Sequence, residues 1–167
     1  MKTDNIVLIG MMGSGKSTIG KLLADEMNFE FVDSDSLIEE REGKLIAEIF
    51  AHYGEEHFRR IESQVLMELI KRERCVIACG GGVVEHPRNR WLLKGAENVF
   101  YLDARPHILY ERISGDESRP KLSTYEEFEK LYMERRGKYV FSSKCAIRAD
   151  RNPIEVVHDI MRRVYEN

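Results

Sequence analysis

Gly10-Met11-Met12-Gly13-Ser14-Gly15-Lys16-Ser17 decides how this sequence is read. A short apolar run, Asn5 to Ile9, precedes it, and Ile19, Leu22, Leu23 and Met27 recur after it at helical spacing. Strand, glycine-rich turn and helix in that order fit G-x-x-x-x-G-K-[ST], a phosphate-binding loop. Glycines let backbone amides close on phosphate oxygens. The helix starting near Lys16 points its positive dipole end at the same anion. In such a loop Lys16 reaches the β- and γ-phosphates of a nucleotide, and the Ser17 hydroxyl ligates Mg²⁺.

Working outward, strand-like and helix-like stretches alternate. Phe29 to Val32 has strand character and runs into two aspartates. Ser36 with Glu39 reads as a capping box opening a helix that Gly43 stops. A short helix through Ile46, Ile49 and Phe50 ends at Gly54, and Phe58, Ile61, Val65, Leu66 and Leu69 mark another apolar helix face. Cys75 to Cys79 reads as a strand ending in three glycines, and Val99 to Leu102 as another. Asn152-Pro153-Ile154-Glu155 combines an N-cap, a proline at N1 and an N3 glutamate, opening a helix to about Tyr165. About five strands interleaved with helices predict an α/β domain with a buried, mostly parallel sheet. The 167 residues suit one domain over 1–167.

Composition narrows the function. Lys and Arg number 26 against 29 Asp and Glu, a net charge of −3, and the pI is near 6.0. A general nucleic-acid binder carries a basic excess instead, so no nucleic-acid partner is expected. No apolar run approaches the ~18 residues of a membrane span, so no membrane partner is expected either. Met1 to Asp4 leads straight into the first strand, unlike a signal peptide, and three cysteines suit a reducing compartment. The expectation is a cytoplasmic protein. Cys75 and Cys79 read as packing residues, the five histidines show no ligand spacing, and Trp91 and most methionines read as core or gap-filling. Met11 and Met12 are candidates to touch a ligand.

A phosphate loop leaves switches, motors and kinases open. The D-x-x-G and [NT]-K-x-D patterns of regulatory GTPases do not occur. Asp33-Ser34-Asp35 follows the second strand, at the sheet edge where α/β ligands bind. One carboxylate there can hold Mg²⁺ through water while the other orients a hydroxyl and accepts its proton. Alternatively both only cap the next helix, and Asp103 is a rival magnesium ligand. Gly80-Gly81-Gly82 ends a strand at the same edge and exposes amides against which a small polar substrate can lie. Arg59 and Arg60 suit a substrate carboxylate, or are solvated surface residues. Ser114 to Ser123 is polar and turn-rich, either a surface loop or part of a mobile lid at about 112–124 carrying Arg119 and Lys121.

Together, Gly10 to Thr18, Asp33-Ser34-Asp35, Gly54 to Glu62, Gly80-Gly81-Gly82 and Arg119-Pro120 resemble the shikimate kinase family in order and approximate spacing. The resemblance implies a three-layer P-loop kinase fold, nucleoside-monophosphate-kinase-like, with a five-stranded parallel sheet. It implies transfer of the ATP γ-phosphoryl group to the 3-hydroxyl of shikimate, with Mg²⁺ as cofactor, by a monomer. Residue by residue it assigns Gly13, Ser14, Gly15, Lys16, Ser17, Thr18, Arg112, Arg119 and Arg151 to the nucleotide. Asp35, Arg59, Gly80, Gly81, Gly82 and Arg135 go to shikimate, with Asp35, Lys16 and Arg119 catalytic and Ser17 and Asp33 at the metal. Two departures stand out: Arg119-Pro120-Lys121-Leu122 where the family usually has R-P-L-L, and Gly137-Lys138-Tyr139 where it usually has P-L-Y. A same-fold kinase acting on homoserine, gluconate or another small hydroxyl compound is the alternative. A non-catalytic ATP-binding regulatory module is the next.

Overall fold

In the computed structural model, residues 4–115 and 124–166 are described. Five strands, β1 (Ile6–Ile9), β2 (Glu30–Asp33), β3 (Cys75–Ala78), β4 (Val99–Asp103) and β5 (Cys145–Arg148), form one parallel sheet in the order β2-β3-β1-β4-β5. Helices α1 (Lys16–Met27), α2 (Ser34–Glu42), α3 (Ile46–Leu69), α4 (Pro87–Gly95), α5 (Pro106–Ser114), α6 (Tyr125–Ser142) and α7 (Pro153–Tyr165) connect and cover it.

Parallel crossovers place helices on both faces, so the central strands are apolar on both sides. β1 shows this within four residues. Val7 and Ile9 pack into the core under α3, α4 and α6, while Ile6 and Leu8 pack into the core under α1 and α7. The predicted strands all appear, within a residue or two of their expected limits.

Two local readings are corrected. The helix after the aspartates opens at Ser34, not Ser36, because the Asp33 side chain caps it by accepting from the Asp35 and Ser36 amides at 3.0 and 3.1 Å. Glu39 accepts instead from the Ile46 amide at 3.0 Å, tying α2 to the start of α3. Trp91 is not core: it is 68% exposed and stacks edge-on against Phe141. The two helices expected around Gly54 run as one element, broken where Gly54 takes φ 81° and ψ 171°. Cys75 and Cys79 are buried and unbridged, as packing residues should be. Asn152 caps α7 as expected, accepting from the Ile154 amide at 2.9 Å. Among the described residues no helix is long and apolar enough to cross a membrane.

Candidate active site

β1, β2 and β3 are neighbours, and their carboxyl ends emerge side by side. Asp33 pairs with Ala78 in register, and Ala78 with Leu8. The phosphate loop, the two aspartates and the triple glycine are thereby delivered to one edge, although nearly seventy residues separate the first from the last.

The loop after β1 has the required form. Gly15 caps α1 with φ 87°, and Gly13 takes φ 82° where a Cβ would lie 2.6 Å from the Leu109 carbonyl oxygen. Only glycine fits there. Lys16 Nζ donates to the carbonyls of Gly10 and Met11 at 2.8 and 2.9 Å, arching over the loop that it would share with phosphates. Gly13, Ser14, Gly15 and Thr18 line a cleft of about 250 Å³ with Arg112 and Arg151. Arg112 donates to the carbonyls of Gly13 and Ala149 at 3.1 and 3.2 Å, and Arg151 is tied to Asp159 at 2.6 Å. Two of the three arginines expected at the nucleotide, Arg112 and Arg151, therefore border one opening beside the loop. Met11 is buried in the core, so only Met12, half-buried, is placed to meet a ligand.

Beside the loop, Ser17 Oγ donates to Asp33 Oδ2 at 2.8 Å. A hydroxyl and a carboxylate are hard oxygen donors of the kind Mg²⁺ takes. Among the described residues no group of three His, Cys, Asp or Glu side chains could hold a metal unaided. Such a sparse donor pair suits a cation that arrives with phosphates and keeps waters. Asp103, the rival ligand, is engaged elsewhere. Its Oδ1 accepts from Tyr101 at 2.8 Å and Tyr132 at 2.9 Å, and Arg136 lies 3.7 Å from Oδ2.

Asp35 behaves differently from Asp33. Its Oδ1 is buried with no hydrogen-bond partner. Burial and the charge of Asp33 push its carboxyl up to about 6, against the pull of Lys16 and Arg59, with Glu39 adding to the rise. A buried acceptor left unsatisfied is costly, and a ligand hydroxyl would satisfy it. Gly80 lies directly beneath: a Cβ there would collide with this carboxylate, reaching 2.8 Å from Oδ2. The Gly80 amide donates to Ser34 Oγ at 3.1 Å, locking the glycine turn to the aspartate segment.

The opposite wall is cationic. Arg59, only 13% exposed in its side chain, donates to Glu62 at 2.7 Å and Glu55 at 3.4 Å and lies 5.2 Å from the Phe58 ring centre. Arg60 is exposed and pairs with His57, so the two adjacent arginines are told apart by burial. A Cβ on Gly82 would meet Arg59 Nη1 at 2.6 Å, and one on Gly81 would stand 3.7 Å from Arg135 Nη1. The triple glycine is thus the floor on which Asp35, Arg59 and Arg135 converge. Arg119, expected at the transferring phosphate, and Lys121 lie outside the described residues.

Two residues of this wall carried no role in the sequence reading. Glu62 is 2% exposed. Burial pushes its carboxyl up to about 7 against the neighbouring Arg59, with Asp35 adding repulsion and Arg135 opposing it. Its spacing three residues after Arg59 on one helix face was the available signal. Glu85, which accepts from Arg135 at 2.9 Å and Lys138 at 3.2 Å, had no signal, because both partners lie about fifty residues away.

The Glu62 carboxyl yields a sign. Folded protein keeps a proton that the unfolded chain releases, so stability falls as pH rises from about 4.5 to about 7. Denaturant unfolding at pH 5 and pH 7.5 should show wild type losing on the order of 3 kcal/mol more than Glu62→Gln. Equal losses would assign the titration to another group.

Comparison with known proteins now bears on this site. Residues 12–165 match the family model described as shikimate kinase. A shikimate kinase from Sulfurihydrogenibium sp. is 38% identical over 162 residues, covering 96% of this chain and 97% of that protein. One from Synechococcus elongatus is 43% identical over 166 residues, covering 97% and 85%. Among solved structures, the shikimate kinase from Acinetobacter baumannii in complex with shikimate superposes with a TM-score of 0.92 at 33% identity, covering 99% of this chain and 94% of that one.

Proposed function

The chain belongs to the shikimate kinase family, and from that premise we infer that it transfers the γ-phosphoryl group of ATP to the 3-hydroxyl of shikimate. The observation that carries the reading is the buried, unpartnered Oδ1 of Asp35, set between a phosphate loop and two inward arginines. Among the described residues it is the one buried carboxylate oxygen without a hydrogen-bond partner.

Shikimate carries a carboxylate and ring hydroxyls. Arg59 and Arg135 suit the carboxylate through charge-assisted hydrogen bonds, and Gly80, Gly81 and Gly82 leave room for the ring. Asp35 accepts from the reacting hydroxyl, aligns it and takes its proton as the bond to phosphorus forms. A carboxyl raised toward neutrality by its surroundings suits that task. Lys16, the loop amides and the α1 N-terminus neutralise charge on the phosphates of ATP. Ser17 and Asp33 would hold Mg²⁺, Asp33 through water, and when bound that ion supplies further neutralisation of phosphate charge. Arg112 and Arg151 flank the nucleotide, with Thr18 on the cleft wall. On sequence resemblance alone, Arg119 is assigned to the transferring group; the lid expected at about 112–124 begins within α5 at residues 112–114 and otherwise lies mostly outside the described residues. We further propose a monomer acting in the cytoplasm.

The test is ADP release from Mg²⁺–ATP with shikimate, homoserine, gluconate, AMP, CMP or no acceptor. Turnover selective for shikimate is expected. Selective turnover of another acceptor would overturn the assignment of Arg59 and Arg135, and ATP binding without turnover would favour a regulatory module.

A further inference from the structure

Glu85 sits one turn beyond the triple glycine and is bound to it, since its amide donates to the Gly82 carbonyl at 2.9 Å. Arg90 donates to the Glu85 carbonyl at 3.0 Å and fixes the same turn from α4. From there the Glu85 carboxylate reaches across to α6. One oxygen accepts from Arg135 Nε at 2.9 Å, the other from Lys138 Nζ at 3.2 Å. Against partial burial, these two cations hold its carboxyl below the usual range. Tyr139, one helical turn past Arg135, donates its hydroxyl to the Gly81 carbonyl, a second tie between α6 and the glycine floor. Arg135 is therefore gripped at Nε, while its Nη1 lies beside Gly81.

An arginine offers two edges to carboxylates, and the edge used by one is closed to another. A carboxylate on Nε fixes the guanidinium plane and turns the outer nitrogens toward the site. The same carboxylate, left uncompensated, would repel an acidic acceptor a few ångströms away. Lys138, one of the two departures from the family's usual pattern, lies on its second oxygen and cancels that charge. Arg135, Lys138 and Glu85 together carry a net charge of +1, the sign an acid requires.

We propose that Glu85 is a positioning residue for acceptor binding: it sets the orientation of Arg135 toward the acceptor carboxylate, and Lys138 neutralises it so that the acid is not repelled. This rests on the reading of Arg135 as a shikimate ligand. The site thus exchanges the usual apolar residue at position 138 for an ion triad joining α6 to the glycine turn.

Steady-state kinetics with Mg²⁺–ATP and shikimate test it. Arg135→Ala comes first, and a rise in shikimate KM supports the site on which the inference depends; no rise overturns both. Glu85→Ala is then expected to raise shikimate KM about tenfold, with kcat and ATP KM within about twofold, a split that general loosening of the fold would not produce. Glu85→Gln keeps an oxygen for Nε and should restore KM to within about threefold. Lys138→Ala should raise KM about threefold, and Lys138→Ala/Glu85→Gln should relieve that rise. If Arg135→Ala raises KM but Glu85→Ala leaves it unchanged or lowers it, Glu85 does not position the arginine. A lowered KM would make it a competitor of the acceptor carboxylate, and the inference alone would fall.

Discussion

Asp35→Asn is expected to lower kcat by about 10² or more while leaving the KM for ATP within a few-fold, the scale of losing a general base. The change removes the proton acceptor but keeps the shape of the side chain. It also removes a charge from a place where burial and Asp33 already disfavour it. Melting temperature should therefore equal or exceed that of wild type, which separates lost chemistry from lost structure. Near-normal turnover would show that the reacting hydroxyl gives its proton elsewhere. A collapsed melting temperature would make Asp35 a structural group instead.

For Arg59→Ala the expected loss lies in the acceptor: about 10² in shikimate KM and little in the KM for ATP, the size of one charge-assisted contact. Truncation also strands Glu62 in the core without its cation, and breaking a buried pair costs about 3–5 kcal/mol. The double variant Arg59→Ala/Glu62→Gln removes that stranded charge. Its melting temperature should recover while the KM defect persists. Gly82→Ala probes the same arginine from the other side, since its Cβ would stand 2.6 Å from Arg59 Nη1 and force the guanidinium away. A rise in shikimate KM of about tenfold is expected. Equal rises in both KM values would place Arg59 outside the acceptor pocket.

Much of the site was legible because its parts are local motifs. The phosphate loop is eight consecutive residues whose backbone conformation glycine dictates, and Gly13 cannot be anything else beneath Leu109. The strands showed as apolar runs because a parallel sheet is buried on both faces. Asp33-Ser34-Asp35 was legible as a pair, and the family resemblance divided its labour, but the hydrogen bonds that distinguish the two carboxylates were not legible. Asp33 caps α2 with one oxygen and meets Ser17 with the other, so capping leaves the second oxygen available to a cation. The capping box at Ser36 was misplaced because the Asp33 carboxylate at the strand end captures the Asp35 and Ser36 amides and so starts the helix two residues earlier.

What the amino-acid sequence determined by itself was the alternation of strands and helices, the phosphate loop and the family. These follow from hydrophobic period, glycine positions and short motifs, which are properties of neighbours in the chain. Tertiary structure alone decided how each of several similar side chains is buried and paired. Arg59 is half-buried and Arg60 is exposed, because Arg59 turns inward beside Glu62 and Phe58 on its own helix while the next residue looks outward. Asp103 is taken by Tyr101 and Tyr132, whereas Asp35 is left with a buried oxygen unpaired. Glu85 gains its place opposite Arg135 and Lys138 only when α6 closes over the glycine turn. Charge, burial and pairing are set by what arrives from elsewhere in the chain, and no local pattern encodes that.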